Sequence, residues 1–343
     1  MNIKHVNAFC FLLGCAALAL AQTPIAGKRN GDWTIRSSET PGAVQFTLMD
    51  SRKDHQSNHS SEWPVAEMHG LDTTKPGHQE VHFAINRDAG NFDCSGFLDS
   101  GEGAGVFHFA PDGKYPQQMA ALVFSGVDAD KQFAMAVFDV TLKFAQEMKD
   151  EHLRGLDTDK LIAFKIFGVT PQFIHDIRAA GLEASDSDKL VAYRIHGVSP
   201  EFVRDIRAAG INISDGDKFI AFRIHGVSPE MVRALHAAGY QADADKLIAM
   251  RIHGASPEWI ADLKKDGYDH IDLDKLIAFR IHGVSPDFIE QLQKLGFQHP
   301  EPDQLIAMRI HGVTPDFISS LRSRGMKDLT IDQLVNLRIH GID

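Results

Sequence analysis

An arginine and a histidine recur together along the C-terminal two-thirds of this 343-residue chain, within the sequence Arg-Ile-His-Gly. Imidazole nitrogens bind zinc and transfer protons near neutral pH. Zinc needs ligand atoms about 2.1 Å from one ion, whereas equivalent atoms of stacked helices lie about 8–10 Å apart. The first copy has Phe167 in place of the histidine. This pattern therefore favours structural histidines over a metal site at His196, His225, His253, His282 and His311.

The arginines of the same block have two possible uses. As a row of positive charge they would bind an acidic partner. As structural residues, each would pair with an aspartate or a second-helix acid nearby and cover apolar surface with its stem. The structural use is favoured, because a residue present in every repeat usually serves packing that every repeat shares. The possible partner-binding residues are Arg194, Arg223, Arg251, Arg280 and Arg309.

A binding face is better sought where the copies of the block differ from one another. Such positions recur in the second helix, which follows the block, and in loops such as residues 183–187 and 298–302. In the first copy the helix positions are Gln172, His175, Asp176 and Ala179.

These residues belong to a longer phrase that returns every 28 or 29 residues, a period typical of stacked-repeat proteins. Each unit reads as two short helices. The first opens at an aspartate such as Asp188, which suits an N-cap, and ends at a glycine, which tolerates the left-handed conformation. The second begins at a pair such as Ser199-Pro200. The glycines that end the first helices are Gly168, Gly197, Gly226, Gly254, Gly283 and Gly312.

Each predicted helix has about ten residues, and isolated helices below ~12–15 residues are marginal in water. Neighbouring units must therefore bury each other's apolar side chains, as in a solenoid. Residues 159–343 are predicted to form this α-helical repeat solenoid. Residues 112–158 keep the aromatic spacing but have Asp139 in place of the glycine, and we interpret them as a degenerate opening repeat.

The N-terminal part of the chain has a different pattern. Residues 1–21 combine a polar start, an apolar run and Ala19-Leu20-Ala21, which is typical of a cleaved signal peptide. A lipoprotein signal cut before Cys15 is the alternative. Residues 22–111 alternate apolar with polar side chains between glycine-rich turns, which predicts a small antiparallel β domain. Residues 50–63 are expected to be a polar loop. The fold class is therefore α+β.

The composition of the chain and its lack of enzyme motifs argue against several classes of function. The formal net charge of −11 argues against general affinity for nucleic acid or an anionic membrane. The hairpin resembles a helix-hairpin-helix module, but an acid such as Glu201 stands where a DNA phosphate would bind. The chain has no His-Glu-x-x-His pair and no Gly-x-Ser-x-Gly elbow. We expect no catalytic residues, no cofactor and no membrane span after signal cleavage.

One cysteine remains after the predicted signal cut, and whether it is reactive is left open. Cys94 lies in an alternating run, where a small strand residue is the simpler interpretation. An enzyme that uses His59, His69 or Cys94 is an alternative without a motif behind it.

The phrase Leu-Ile-Ala-Phe-Arg-Ile-His-Gly-Val-Ser-Pro, together with Arg-Asp-Ala-Gly-Asn-Phe at residues 87–92, resembles a group of bacterial exported proteins. Similar segments occur at the C-termini of beta-lactam-sensor-type membrane metallopeptidases. The resemblance covers residues 30–343. It implies an extracytoplasmic sensing or docking module. It carries no peptidase activity over, because the peptidase domain and its zinc motif are absent from this sequence.

The sequence thus predicts a non-enzymatic, secreted or periplasmic scaffold that binds a protein or peptide through its helical repeats. A sensor or regulatory module that acts with an envelope protease or receptor is the first alternative, suggested by the resemblance. A nucleic-acid-binding module is the second.

Overall fold

The computed structural model describes residues 28–52 and 55–342. The predicted signal segment, residues 1–21, and Cys15 lie outside the described residues. The chain divides into two compact units, the first ending at Thr141 and the second starting at Leu142. This border falls inside the range 112–158 that the sequence assigns to a degenerate repeat. None of the helices among the described residues has the length and apolar character needed to cross a membrane.

The first unit contains one antiparallel sheet of six strands, in the order β3-β2-β1-β6-β5-β4. The strands are β1 (Arg29–Ser37), β2 (Ala43–Arg52), β3 (His55–Pro64), β4 (His78–Arg87), β5 (Gly90–Asp99) and β6 (Glu102–Pro111). A short 3-10 helix, Val65–Glu67, follows β3, and two α-helices follow the sheet: α1 (Tyr115–Ala121) and α2 (Ala129–Val137). The antiparallel β domain predicted from alternation is therefore present.

The loop predicted for residues 50–63 is wrong, because most of this stretch belongs to β2 and β3, which pair with each other from Ala43↔Pro64 to Arg52↔His55. β3 is an edge strand, so it has a strand partner on one side only. From Asn58 onwards its side chains are mostly exposed, and only Trp63 is buried. An edge strand that buries so little shows no apolar alternation, and its polar composition is that of a loop.

One face of the sheet buries the core of this unit. Trp33, Phe46 and Phe83 are fully buried on that face. Helix α2 closes the core through Phe133, whose ring centroid lies 5.2 Å from that of Phe109. Cys94 is buried in the same layer, and burial raises the pKa of its thiol. A thiol held protonated in the core is a poor nucleophile, so Cys94 is a core residue.

The second unit consists of α-helices in a repeated order. We call the helix of each repeat that carries Arg-Ile-His, or Lys-Ile-Phe in α4, a first helix. The helix that precedes the next first helix is a second helix. The first helices are α4 (Thr158–Phe167), α6 (Ser187–Ile195), α8 (Gly216–His225), α10 (Ala244–His253), α12 (Leu273–His282), α14 (Pro302–Ile310) and α16 (Ile331–Ile339). The second helices are α3 (Leu142–Asp150), α5 (Pro171–Ala179), α7 (Pro200–Ala208), α9 (Pro229–Ala237), α11 (Pro257–Lys265), α13 (Pro286–Lys294) and α15 (Pro315–Ser323).

Helices of like kind pack side by side, so the second unit has a first-helix layer and a second-helix layer. The recurring aromatic or methionine of the second helix and the residue four positions later point between the layers. Phe173 and Ile177 are both buried, as are Phe288 and Leu292. The predicted solenoid of two-helix repeats is confirmed in this arrangement.

The repeat phase predicted from the glycines extends upstream into the first unit. Asp139 has a φ of 52°, the left-handed conformation that Gly168 adopts with a φ of 69° in the next repeat. Aspartate is one of the few residues other than glycine that visit this region. Asp139 therefore ends α2 and its short extension as the glycine ends the later first helices.

The predicted N-cap of the first helices is wrong by two residues. Asp186 caps α6, where its carboxylate accepts a hydrogen bond from the backbone N–H of Lys189. Asp188 lies in the first turn instead. Both positions suit an acid, because the free N–H groups and the helix dipole favour negative charge there. Two aspartates two residues apart are therefore equally good N-cap candidates in a sequence.

Candidate functional site

The arginines of the repeat connect each unit to the one before it. Arg194 donates from Nε to the carbonyl oxygen of Phe167 at 3.0 Å, and its guanidinium lies 4.6 Å from the ring centroid of Phe173. Arg280 repeats both contacts on His253 and Trp259, at 3.2 Å and 5.2 Å. The carbonyls are those left free at the C-terminal end of the preceding first helix.

Each of these guanidinium groups also lies against the glycine that ends the preceding first helix. A Cβ on Gly168 would stand 2.6 Å from Nη2 of Arg194, and one on Gly254 would stand 2.8 Å from Nη2 of Arg280. Glycine is therefore required at this position for two reasons. It adopts the left-handed backbone conformation without strain, and it leaves space for the arginine of the next repeat. The sequence predicted that each arginine pairs with an aspartate or a second-helix acid, and the hydrogen bonds seen here go to carbonyl oxygens instead. The same carbonyl contact is made by Arg223, Arg251 and Arg309. Arg338 donates instead to the carbonyl oxygen of Gly312, one residue further on.

The histidines of the repeat lie at the C-terminal ends of the first helices. Among the residues that the structure describes, their imidazoles take part in no hydrogen bond or ion pair with the protein. They are half-buried or exposed, and a row of ring nitrogens is therefore available on this surface. These residues are His196, His225, His253, His282, His311 and His340.

A row of ion pairs joins the N-terminal ends of the first helices. In each pair the lysine of one repeat contacts the first-turn aspartate of the next, as Lys189 does with Asp217 at 3.1 Å and Lys275 with Asp303 at 2.8 Å. We call this set the lysine–aspartate ladder. Its other pairs are Lys160–Asp188, Lys218–Asp245 and Lys246–Asp274.

Hydrogen bonding across the ladder favours the charged lysines. The bond to Asp245 raises the pKa of Lys218, and the bond to Asp303 raises that of Lys275. Most repeats carry two acids at this end, the N-cap and the first-turn residue, against one lysine. This edge of the layer therefore keeps a net negative charge, whereas the arginines make the opposite edge positive.

One isoleucine of every repeat lies on the outer face of the first-helix layer with about half of its surface exposed. Ile166 is 47% exposed and Ile224 is 56% exposed. The residues three and four positions earlier, such as Ala221 and Ile220, are partly exposed on the same face. We call the seven residues the isoleucine row: Ile166, Ile195, Ile224, Ile252, Ile281, Ile310 and Ile339.

The isoleucine row was not predicted from the sequence. A signal for it exists, since each isoleucine falls five residues after a buried leucine or phenylalanine, and the first six fall two residues after a buried aromatic residue or methionine. In α6 these are Leu190 and Tyr193, both fully buried. At 100° per residue, Ile195 lies outside the stripe that those two define. Isoleucine is usually a buried residue. Its presence in every repeat strengthens the expectation that it belongs to the core.

The variable second-helix positions proposed from the sequence lie on the other layer. Gln172 and Asp176 bond each other across one turn at 2.8 Å. His175 contacts Glu151 at 2.7 Å, and Arg178 contacts the other oxygen of that carboxylate at 2.5 Å. These side chains link α5 to the chain just after α3, and they form a polar surface without an apolar centre.

The alternative site in the first unit has scattered residues. His59 is half-buried with its ring against Phe138, and burial lowers its pKa. His69 pairs through its backbone with Ala84. Cys94 lies in the core. Over residues 28–52 and 55–342, no three histidine, cysteine or acidic side chains are grouped closely enough to hold a metal ion.

The first-helix layer of the second unit is therefore the surface that combines several unusual features. It presents an apolar row near the C-terminal ends of the helices, where the arginines and imidazoles also lie, and a net acidic edge at the helix N-termini. No protein-family model matches the chain, and no curated protein matches it.

Proposed function

We propose that this protein is a non-enzymatic scaffold that binds a protein or peptide partner through the first-helix layer of its repeats. The observation that carries the proposal is the isoleucine row. Single exposed apolar residues are ordinary on a protein surface, but a contiguous apolar patch with polar edges is typical of an interaction site. The row has one member in each of seven successive repeats.

The energetics of burial support this use. Complete burial of an isoleucine side chain stabilises by about 1.5–3 kcal/mol, so covering the exposed half of one contributes roughly 1 kcal/mol. Association itself opposes binding by about 4–15 kcal/mol. One isoleucine cannot offset that term, whereas a row of seven with its alanine and aliphatic neighbours is of the right size.

The place of action belongs to the same proposal. The signal-like residues 1–21 and the resemblance to bacterial exported proteins support a secreted or periplasmic protein. The partner is then a protein of the cell envelope or one exposed to it.

The test is capture of a partner by the full chain and by two triple variants. The isoleucine-row variant carries Ile224→Gln, Ile252→Gln and Ile281→Gln, because glutamine keeps the helix propensity and removes the apolar surface. The control variant carries Arg204→Gln, Arg233→Gln and Lys265→Gln. These three residues are exposed on second helices, where their ion pairs lie within one helix turn.

Each chain is immobilised and exposed to envelope extract of the source cells, after circular dichroism has verified equal helix content. We expect the wild type and the control variant to retain the same protein in stoichiometric amount, and the isoleucine-row variant to retain at least tenfold less. Equal retention by all three chains, or retention by none, would overturn the proposal.

A further inference from the structure

The pitch of the isoleucine row limits what can lie along it. Neighbouring first helices from α8 to α16 pack side by side, as α4 does with α6, and packed helices are about 8–10 Å apart. Successive isoleucines of the row occupy equivalent positions on successive helices, so the row repeats at that distance. A partner that contacts every isoleucine must present an apolar side chain at the same interval.

Few backbone conformations meet this requirement. A polyproline II chain rises about 3.1 Å per residue with three residues per turn, so every third side chain returns to the same face after about 9.3 Å. In a β-strand, side chains that share a face are about 6.7 Å apart. In an α-helix, side chains that share a face are three, four or seven residues apart, or about 4.5, 6.0 and 10.5 Å, and none of these intervals lies within 8–10 Å.

The unpartnered imidazoles provide an independent indication of an extended ligand. Polyproline II segments make no internal hydrogen bonds, so their carbonyl oxygens need donors from the protein that binds them. A histidine directly follows six of the seven isoleucines, the exception being Ile166, which Phe167 follows. In the described part of the chain these imidazoles bond no other residue. His225, His253 and His282 belong to the middle repeats and are half-buried or exposed. The surface thus supplies one donor for every three ligand residues.

The charges along the two edges fit the same threefold pattern. When every third side chain of a polyproline II segment faces the isoleucines, the other two face opposite edges of the surface. One of them approaches the net acidic edge formed by residues such as Asp215 and Asp217, and the other approaches the arginines. A segment with a basic and an acidic residue between its apolar residues is therefore complementary along its whole length.

We infer that the first-helix layer binds an extended polypeptide segment in the polyproline II conformation, with apolar, basic and acidic side chains recurring in threes. This inference rests on the proposed function and names the partner's conformation and sequence pattern. A second copy of this chain would also match the pitch of the row, and it is an outcome of the test below. A second copy would leave the imidazoles without the carbonyl acceptors that an extended segment offers.

The experiment uses two fluorescently labelled 18-residue peptides of identical composition. In the first, Val-Lys-Glu is repeated six times; in the second, Val-Val-Lys-Lys-Glu-Glu is repeated three times. Valine disfavours the helix in both. Binding to the full chain is measured by fluorescence anisotropy, with the isoleucine-row variant and the control variant measured alongside. Light scattering gives the molecular mass of each chain without peptide.

We expect the first peptide to bind the wild type and the control variant at least tenfold more tightly than the second peptide does. The isoleucine-row variant should lose this preference. Equal affinity for the two peptides, or binding of neither, overturns the inference. A wild-type dimer that becomes monomeric in the isoleucine-row variant also overturns it, because the row is then occupied by a second copy.

The two proposals fail in different ways. If the isoleucine-row variant loses the captured protein but the peptides show no preference, the scaffold function stands and the extended-segment inference falls. If capture does not depend on the row, the scaffold function itself falls.

Discussion

Arg280 illustrates how a single side chain joins two repeats. Its Nε donates to the carbonyl oxygen of His253, and its guanidinium covers the ring of Trp259. The planar fork allows both contacts at once, which an ammonium group does not. The arginines of the repeat are possible partner-binding residues, but their recurrence in every repeat favoured a packing role. Arg280 has such a role through its contacts with a carbonyl oxygen and an aromatic ring.

Replacing this arginine should weaken the stack. We expect Arg280→Ala to lower the free energy of unfolding by about 1–2 kcal/mol, the sum of a cation–π contact at an exposed site and one hydrogen bond. Arg280→Lys should lose about half as much, because lysine keeps the charge over Trp259 and loses the bond from Nε. Urea unfolding followed by circular dichroism measures both. A loss from Arg280→Lys as large as that from Arg280→Ala would contradict the division of roles.

Tyr193 and Gly216, which lie in neighbouring repeats, form a contact in which the size of one residue limits the size of the other. Gly216 begins α8 beside Tyr193, and a Cβ there would overlap the tyrosine hydroxyl and lie 2.8 Å from its Cζ. In the next repeat the equivalent pair is Phe222 and Ala244, both buried. The hydroxyl of Tyr193 bonds the carbonyl oxygen of Glu183 at 3.3 Å, and glycine provides the space for it.

This pair predicts a non-additive double variant. Gly216→Ala alone should cost about 1–3 kcal/mol, as expected for overpacking. In the presence of Tyr193→Phe the added cost should fall below about 0.5 kcal/mol, because the double variant reproduces the Phe222–Ala244 pair. Thermal unfolding of the four chains of the cycle measures the coupling. Strict additivity would mean that the hydroxyl does not set the size of residue 216.

At the scale of the element, the lysine–aspartate ladder ties each first helix to the next. The pKa of Lys218, Lys246 and Lys275 is raised by hydrogen bonds to Asp245, Asp274 and Asp303. A raised folded-state pKa means that the native chain holds these protons more tightly than the unfolded chain. The stabilisation is complete below the unfolded value of about 10.4 and is lost as the pH rises through the folded value.

The ladder therefore predicts an alkaline loss of stability. Between about pH 9 and pH 11, the melting temperature of the wild type should fall more than that of a variant with Lys218→Gln, Lys246→Gln and Lys275→Gln. Buried tyrosines also contribute in this range, and burial raises the pKa of Tyr268 to about 12. They are present in both chains, so the difference isolates the lysines. Parallel melting curves for the two chains would show that the ladder adds no stability.

The sequence predicted the helices better than the strands, for a physical reason. The sequence marks a second helix by a serine or threonine N-cap, a proline at the first position and a glycine after the last turn. In α7 these residues are Ser199, Pro200 and Gly210, and all three were placed correctly. The edge strand β3 is held by backbone pairing with β2 and buries few side chains. Backbone pairing leaves no periodicity in a sequence.

At the scale of the whole molecule, the chain separates residues that hold the repeats together from residues that face outward. In six of the seven first helices, the leucine or phenylalanine and the aromatic residue or methionine three positions later are fully buried. Leu247 and Met250 are examples in α10, whereas Ile252 of the same helix is 54% exposed. The solenoid and its period follow from the glycine spacing, and the β domain follows from the alternation of apolar and polar residues. The exposed surface was not predicted, because its signal can be used only once it is known which side of each helix the neighbouring repeats cover.

This separation can be checked through stability. Ile252→Gln should change the free energy of unfolding by less than about 0.5 kcal/mol, the usual range for surface positions. Leu247→Ala should cost about 2–5 kcal/mol, because it removes buried methyl groups and leaves a cavity. Chemical denaturation of the two variants gives both values. Equal losses would place Ile252 in the core and remove it from the surface available to a partner.

The most direct measurement of the central claim is site-specific photo-crosslinking in the source cells. The photoreactive residue p-benzoylphenylalanine replaces Ile252 in one strain and Arg233, an exposed residue of the second-helix layer, in another. We predict a discrete crosslinked adduct from position 252 and none from position 233. An adduct from position 233 alone, or from neither position, would contradict the view that this protein works by presenting its row of isoleucines to a partner.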